Sequence, residues 1–247
     1  MVKKIILAIL PDSERLRSLA YRPKLETWRK QHAGSYPIFN SRYAIYDYIN
    51  NEIFCGRPIQ YLEFGVYKGD TIKYFSNLNS NPDSRFVGFD TFTGLPEDWI
   101  ELTRTVKRST FDTNGEPPQL HDVRISFVKG LFQDTLPGFL EAYSSKEQLV
   151  IHNDSDLYSS TLYMLTRANN IIKPGTIIIF DEFYSVMHEF RALEDYCAAY
   201  MRNYSVIAAT RNHLEIAIRM QWVSRMNCTG SSCPKVKLSS TRPEAYR

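Results

Sequence analysis

Apolar positions alternate between two rhythms along this chain. Short unbroken apolar runs, the mark of strands, are separated by segments in which apolar residues return at helical spacing. Residues 12–56 carry helical patterns. Phe39-Asn40-Ser41 reads as a helix entry with Ser41 as cap, and Tyr43, Tyr46, Ile49, Asn50 and Ile53 follow until Gly56-Arg57-Pro58 stops the run. Beyond it the pattern predicts strand over 59–64, helix over 70–78, and strands over 85–89, 123–128 and 148–152. A helix over 159–172 carries Leu162, Leu165 and Ala168 on one face and ends at Lys173-Pro174-Gly175. Residues 176–180 are β-branched and apolar, as in a strand buried on both sides. Phe190, Leu193, Cys197 and Tyr200 mark one stripe of a further helix, and 204–209 and 214–219 complete the strands.

Two segments break the rhythm. Residues 91–122, with Gly94, Pro96, Gly115, Pro117 and Pro118, read as a long irregular connection, and loops of that length in a compact domain are usually functional or disordered. From Met226 onward no periodicity remains, and a disordered tail is expected.

Strands alternating with helices argue for a doubly wound parallel sheet, whose ligands bind outside the carboxyl ends of the strands. The chemistry is therefore sought in the residues that close each strand. The strand over 59–64 runs into Glu63-Phe64-Gly65-Val66-Tyr67-Lys68-Gly69-Asp70-Thr71. Gly65 and Gly69 let the backbone pass close to a ligand and turn into a helix whose free N–H groups face it. The spacing Glu-x-Gly-x-x-x-Gly differs from the dinucleotide fingerprint Gly-x-Gly-x-x-Gly. An acid before the first glycine suits a cationic amino-acid moiety better than a pyrophosphate; a plain strand-to-helix turn is the bland alternative. Asp90 closes the next strand, where an acid can accept from both hydroxyls of a ribose or cap the following turn. Asp154, Asp156, Asp181 and Glu182 crowd two further strand ends, and such a group needs a cation; a hard divalent ion such as Mg²⁺ prefers oxygen ligands. Asp156 reads instead as the cap of the helix that follows, and His152 as a packed neighbour of Asp154. Trp99, Arg104, Lys107, Arg108 and Phe111 make the 91–122 loop a candidate substrate lid, against the alternative of a solvated insertion.

Composition removes other classes. The 247 residues suit one large domain, about 1.6 times a ~150-residue unit. A net charge of +3 from 30 basic and 27 acidic residues, with no block of five like charges, is no nucleic-acid footprint. Hydrophobic content of 43% with 23% charged is ordinary for a globular protein. Cys55, Cys197, Cys228 and Cys233 fall in helix-like stretches and in the polar tail, which is no disulfide framework, so a reducing, cytoplasmic setting is expected. Lys3-Lys4 before the apolar run 5–10 imitates a signal peptide, but the run is too short and lacks a cleavage site; a short packed strand or helix turn is expected there. No apolar stretch approaches the ~20 residues of a membrane span.

Four ordered blocks then carry a resemblance. The glycine loop 63–69 resembles that of class I S-adenosylmethionine-dependent methyltransferases. Phe89-Asp90-Thr91-Phe92-Thr93-Gly94-Leu95-Pro96, Lys129-Gly130-Leu131-Phe132-Gln133-Asp134-Thr135-Leu136-Pro137 and Asp154-Ser155-Asp156-Leu157-Tyr158-Ser159-Ser160-Thr161 resemble three blocks of the macrocin O-methyltransferase (TylF-type) family, in order and spacing, from about residue 40 to residue 200. The resemblance implies a Rossmann-like sheet of seven mainly parallel strands with helices on both faces. With the element pattern, the chain is expected to divide into an N-terminal helical extension (1–56), the methyltransferase domain (57–225) and a tail (226–247). The resemblance implies S-adenosylmethionine as cofactor, bound by Glu63, Gly65, Val66, Tyr67, Gly69, Thr71, Asp90, Thr91 and Phe132. It further implies Mg²⁺ held by Asp154, Asp181 and Glu182, Asp154 as general base, and a small-molecule hydroxyl acceptor, often a deoxysugar of a natural product. The family's Asp-Asp-Tyr stands here as Asp181-Glu182-Phe183, which lengthens one ligand and removes a hydroxyl. A metal-independent methyltransferase acting on a phenol or carboxylate and a non-catalytic nucleotide-binding module stay open as alternatives. Neither a nucleic-acid nor a membrane partner is expected; should the chain self-associate, the Tyr-rich helical region before residue 57 is the expected surface.

Overall fold

The computed structural model describes residues 13–221. The apolar run 5–10, Cys228, Cys233 and the tail from 226 lie outside the described residues, so the expectations placed on them are not addressed by the fold.

Helix α1 (Glu14–His32) begins where the Ser13 side chain accepts from the Leu16 N–H. A two-residue strand, β1 (Ile38–Phe39), precedes α2 (Arg42–Tyr48), which Ser41 caps by accepting from the Ala44 N–H at 3.3 Å. The helix then widens into a π-helical turn, Ile49–Phe54. There follow β2 (Ile59–Phe64), α3 (Asp70–Leu78), β3 (Arg85–Asp90), a small hairpin of β4 (Trp99–Ile100) and β5 (Thr105–Val106), β6 (Ile125–Lys129), α4 (Phe132–Glu141), β7 (Gln148–Asn153), α5 (Tyr158–Arg167), β8 (Ile177–Phe180), α6 (Glu189–Ala199), β9 (Asn203–Thr210) and β10 (Ile216–Gln221).

Eight strands form the central sheet in the order β1-β9-β10-β8-β7-β2-β3-β6. All neighbours are parallel except around β10, which the tight turn after β9 folds back between β9 and β8. Seven of the strands are the expected ones; β1 is added at the edge, paired with Ala209 and Thr210. The period of two along each strand sends its apolar residues to both faces. Leu62, Phe64, Ile178 and Phe180 face Trp28, Leu136, Met164, Phe190 and Leu193, the layer of α1, α4, α5 and α6. Tyr61, Ile177 and Ile179 face Ile45, Tyr46, Ile72 and Phe75, the layer of α2 and α3.

Two expectations need correction. Helix α4 has no counterpart in the sequence reading, because Pro137 and Gly138 resemble a stop. Pro137 cannot donate to the Gln133 carbonyl one turn back; the Tyr163 hydroxyl donates to that carbonyl instead, at 3.3 Å. Asp156 does not cap α5. The cap position is Leu157 with no side-chain bond, and the Tyr158 N–H donates to His188 Nδ1 at 3.3 Å. Asp156 has φ of 60° and lines the pocket described next.

Candidate active site

A pocket of 340 Å³ opens at the carboxyl ends of β2, β3, β7 and β8, within the ~300–1,000 Å³ range of small-molecule sites. Its first end is built by the glycine loop. Gly65 has φ of +90°, and a Cβ there would stand 1.9 Å from the Asp154 carbonyl oxygen, so only glycine lets β2 pass this close to the end of β7. The next two residues turn their amides onto Asp90: Oδ2 accepts from the Val66 N–H at 2.7 Å and the Tyr67 N–H at 2.8 Å, while Oδ1 accepts from the Phe92 N–H at 2.7 Å. Three amides leave this carboxylate about one free lone-pair position for a ligand hydroxyl. Thr91 and Phe132 complete the wall.

The second end is acidic. Asp154, Asp156, Asp181 and Glu182 all line it, with Ser155 and Ser160. Three of them hold their protons more tightly than usual. Burial, then Asp181 and Asp156, pushes the Asp154 carboxyl well above the usual range. Burial, then Glu182 and Asp181, does the same to Asp156. Burial, then Asp181, raises Glu182 from the usual 4.5 to about 7. Two cations reach in from outside the strand ends: Arg104 acts on Asp156 and Glu182 from the roof, and Arg42 Nη1 lies 2.8 Å from Asp181 Oδ2, with its Nε 3.8 Å from Glu215 Oε1. Asp181 Oδ1 is buried without a hydrogen-bond partner. Among the described residues no group of three or more His, Cys, Asp or Glu side chains is placed to hold a metal ion.

The 91–122 segment roofs the pocket through Trp99, Arg104 and Phe111. The Arg104 guanidinium stacks 4.5 Å over the Trp99 ring, and Phe111 meets Tyr67 edge-on at 5.4 Å. Lys107 and Arg108 do not line it; the Lys107 ammonium and the Arg108 backbone N–H both donate to Asp98, at 2.8 and 2.9 Å. The segment is thus not wholly irregular, since β4 and β5 form its centre. His188 Nε2 meets the Ile100 carbonyl at 3.0 Å, and the Ser185 hydroxyl meets Glu101 at 3.0 Å, tying that hairpin to the loop after β8.

Of the expected cofactor residues, Gly65, Val66, Tyr67, Asp90, Thr91 and Phe132 come together in the pocket wall, whereas Glu63, Gly69 and Thr71 stand outside it. Glu63 is buried behind it. Tyr61 donates to its Oε2 at 2.6 Å, His152 Nδ1 lies 3.0 Å from the Tyr61 hydroxyl, and Glu63 Oε1 is left without a partner. Gly69 sits at the N-cap of α3, where a Cβ would meet Pro118 at 2.8 Å; Thr71 follows in the first turn. Asp154, Asp181 and Glu182 do share one pocket end. Phe183 points away into the core, 4.9 Å from Trp28, so the hydroxyl missing at this position is not missing from the pocket. Arg42 and Glu189 have no counterpart in the sequence pattern, and Asp156, expected as a helix cap, lines the pocket instead. Glu189, fully buried at the start of α6, carried no signal, being one more acid on an amphipathic helix.

Strand order, the single antiparallel strand and a ligand pocket at the glycine loop define a Rossmann-like class I methyltransferase. The family profile of Macrocin-O-methyltransferase (TylF) matches residues 40–208. The chain belongs to the macrocin O-methyltransferase family, whose class is that of the S-adenosylmethionine-dependent O-methyltransferases. A curated relative from Streptomyces olivaceus, the 8-demethyl-8-(2,3-dimethoxy-alpha-L-rhamnosyl)-tetracenomycin-C 4'-O-methyltransferase, is 28% identical over 149 residues, covering 52% of this chain and 54% of the relative. The chain therefore spans about half the length of the curated relative it matches. Among solved structures, the O-methyltransferase NovP has a TM-score of 0.56 at 19% identity, covering 73% of this chain and 80% of that one. The calicheamicin methyltransferase CalS11 has 0.55 at 22%, covering 72% and 77%. These structural likenesses concern the fold. Among the described residues no helix is long and apolar enough to cross a membrane.

Proposed function

We propose that this chain transfers a methyl group from S-adenosylmethionine to a hydroxyl on a sugar moiety of a natural product. The observation that supports this reading is the close approach of Gly65 to the Asp154 backbone, which brings the glycine loop and the residue of the candidate base into the lining of one pocket. The relative from Streptomyces olivaceus, by its name a rhamnosyl tetracenomycin 4'-O-methyltransferase, supports the choice of acceptor class.

The residues suit the cofactor. Val66, Tyr67, Thr91, Leu131 and Phe132 line a slot, and Asp90 keeps an acceptor position for a ribose hydroxyl. Gly65, Gly69 and Thr71 shape this end of the site rather than fill it. Bound S-adenosylmethionine supplies an electrophilic methyl carbon: its bond to sulfur breaks as the bond to the acceptor oxygen forms, leaving a thioether. Asp154 receives the hydroxyl proton, and its raised proton affinity makes it a better base than an ordinary carboxylate once ionised. The glycine loop and the roof would bind cofactor and acceptor in one pocket, and such positioning supplies much of the rate of a transfer.

Mg²⁺ on Asp154, Asp181 and Glu182 is a different matter. The oxygen donors suit a hard cation, but they are not gathered into a metal-holding group, and Asp181 Oδ2 is committed to Arg42. The residues as arranged do not fit the ion, and no step is assigned to it.

Calorimetric titration with S-adenosylhomocysteine tests the reading. Micromolar or tighter binding, weakened in Asp90→Asn, is expected; no binding to folded protein would remove it. Methyl transfer to phenols or carboxylates but not to glycosylated acceptors would remove the sugar assignment.

A further inference from the structure

Four carboxylates at one end of a pocket repel one another, and something must carry the opposing charge. Here the chain itself supplies it. Arg42 is the first residue of α2, placed by the Ser41 cap, on a helix far in sequence from the strand ends bearing the acids. Its guanidinium nevertheless lines the pocket and donates to Asp181 Oδ2 at 2.8 Å. It does not swing freely. Glu215 stands 3.8 Å away on its other side, and Glu215 is held in turn by the Thr210 hydroxyl at 2.8 Å. The Asp181 and Glu215 side chains are only 5% and 9% exposed, so the ion pair is shielded from solvent ions. Asp181 Oδ1, buried and without a partner, faces the opposite need: it lacks a donor.

We propose that Arg42 is the resident cation of Asp181 at the acidic end of this pocket, standing where a divalent ion was expected, and that it fixes Asp181 so that Oδ1 receives a hydroxyl of the acceptor. This rests on the methyltransferase reading for what the acceptor is, but not for where the charge comes from. A guanidinium and a dication on one carboxylate repel each other, so Arg42 excludes the metal from Asp181 as long as it stays. The sequence agrees: Glu182 is one methylene longer than the family's aspartate at this loop. An acceptor hydroxyl donating to Asp181 Oδ1 would be oriented by a hydrogen bond instead of by chelation, and Asp154 would remain free to take the proton of its neighbour.

The test uses Mn²⁺ as the probe, followed by its electron paramagnetic resonance signal, on the whole chain with S-adenosylhomocysteine added. The wild-type protein is expected to show no saturable site at millimolar Mn²⁺. Arg42→Ala is expected to gain a site, roughly tenfold or more tighter than any residual wild-type binding, and Arg42→Lys, which keeps the charge, to stay without one. Saturable binding of about one Mn²⁺ per wild-type chain, abolished by Asp181→Asn, would overturn the proposal. The wild-type titration needs no variant to fold. The accompanying S-adenosylhomocysteine titration separates the two readings: its failure would count against the methyltransferase function, while the Mn²⁺ result would still decide the role of Arg42.

Discussion

Glu189 and Asn153 are joined by a 2.6 Å hydrogen bond inside the core, from the Asn153 side-chain amide to Glu189 Oε1. The other oxygen of Glu189 accepts from the Glu182 N–H at 2.9 Å. One buried carboxylate at the start of α6 thus spans the end of β7, just before Asp154, and the loop after β8, just after Asp181. It sets the spacing of the pocket acids without entering the pocket. Glu189→Ala takes the acceptor from the part-buried Glu182 N–H and from one of the two Asn153 amide protons, the other of which still reaches Thr161 Oγ1, at ~1–3 kcal/mol. We expect a stability loss of that order in urea unfolding, with methyl transfer reduced more than S-adenosylhomocysteine affinity.

Gly65→Ala tests the contact between loop and base. The added methyl would meet the Asp154 carbonyl at 1.9 Å, and its φ of +90° strains any other residue. A stability loss of at least ~1–3 kcal/mol is expected, with S-adenosylhomocysteine binding lost in calorimetry. Unchanged binding would mean that the cofactor lies elsewhere.

Asp154→Asn removes the proton acceptor while keeping size and polarity. Methyl transfer should fall by ~10²–10⁴-fold at unchanged S-adenosylhomocysteine affinity. The pH profile supplies the sign. Burial and the neighbouring Asp181 hold the Asp154 proton more tightly than usual, so the wild-type rate should rise with pH through a limb above the ordinary carboxylate range. The residual rate of the variant should lack that limb. A wild-type rate flat over that range would show that another group takes the proton.

Glu182 makes a stability prediction of its own. Its proton affinity is raised from the usual 4.5 to about 7, so between those values the folded chain holds more protons at this site than the unfolded one. Stability then falls as pH rises through that window and levels off above about 7. The melting temperature of the wild type should drop between pH 4.5 and 7, and Glu182→Gln should show a smaller drop.

Local pattern made much of this legible. The strand over 59–64 and the helix over 70–78 stand at the expected bounds, because a continuous apolar run and a helical stripe are each decided by nearby residues. Helix α4 was hidden by Pro137, whose orphaned partner carbonyl is satisfied by Tyr163 from another element. The strand-end acids could be found because a doubly wound sheet brings strand ends together. Asp156 was misassigned because an acid two residues before a helix is usually a cap, and only the backbone turn at 60° and the Tyr158–His188 bond reveal otherwise. Arg42 was invisible: the residues it binds lie far along the chain, and no spacing rule links a helix start to a distant strand end.

The two-residue strand β1 has a consequence for solubility. Without it, β9 would end the sheet with its backbone donors and acceptors bare, a template on which a second chain could pair. Ile38 and Phe39 occupy part of that edge, opposite Ala209 and Thr210, and the strand they form is too short to offer a long edge in its place. Chains truncated before residue 40 should therefore clump through edge pairing, even though every acid of the pocket is still present.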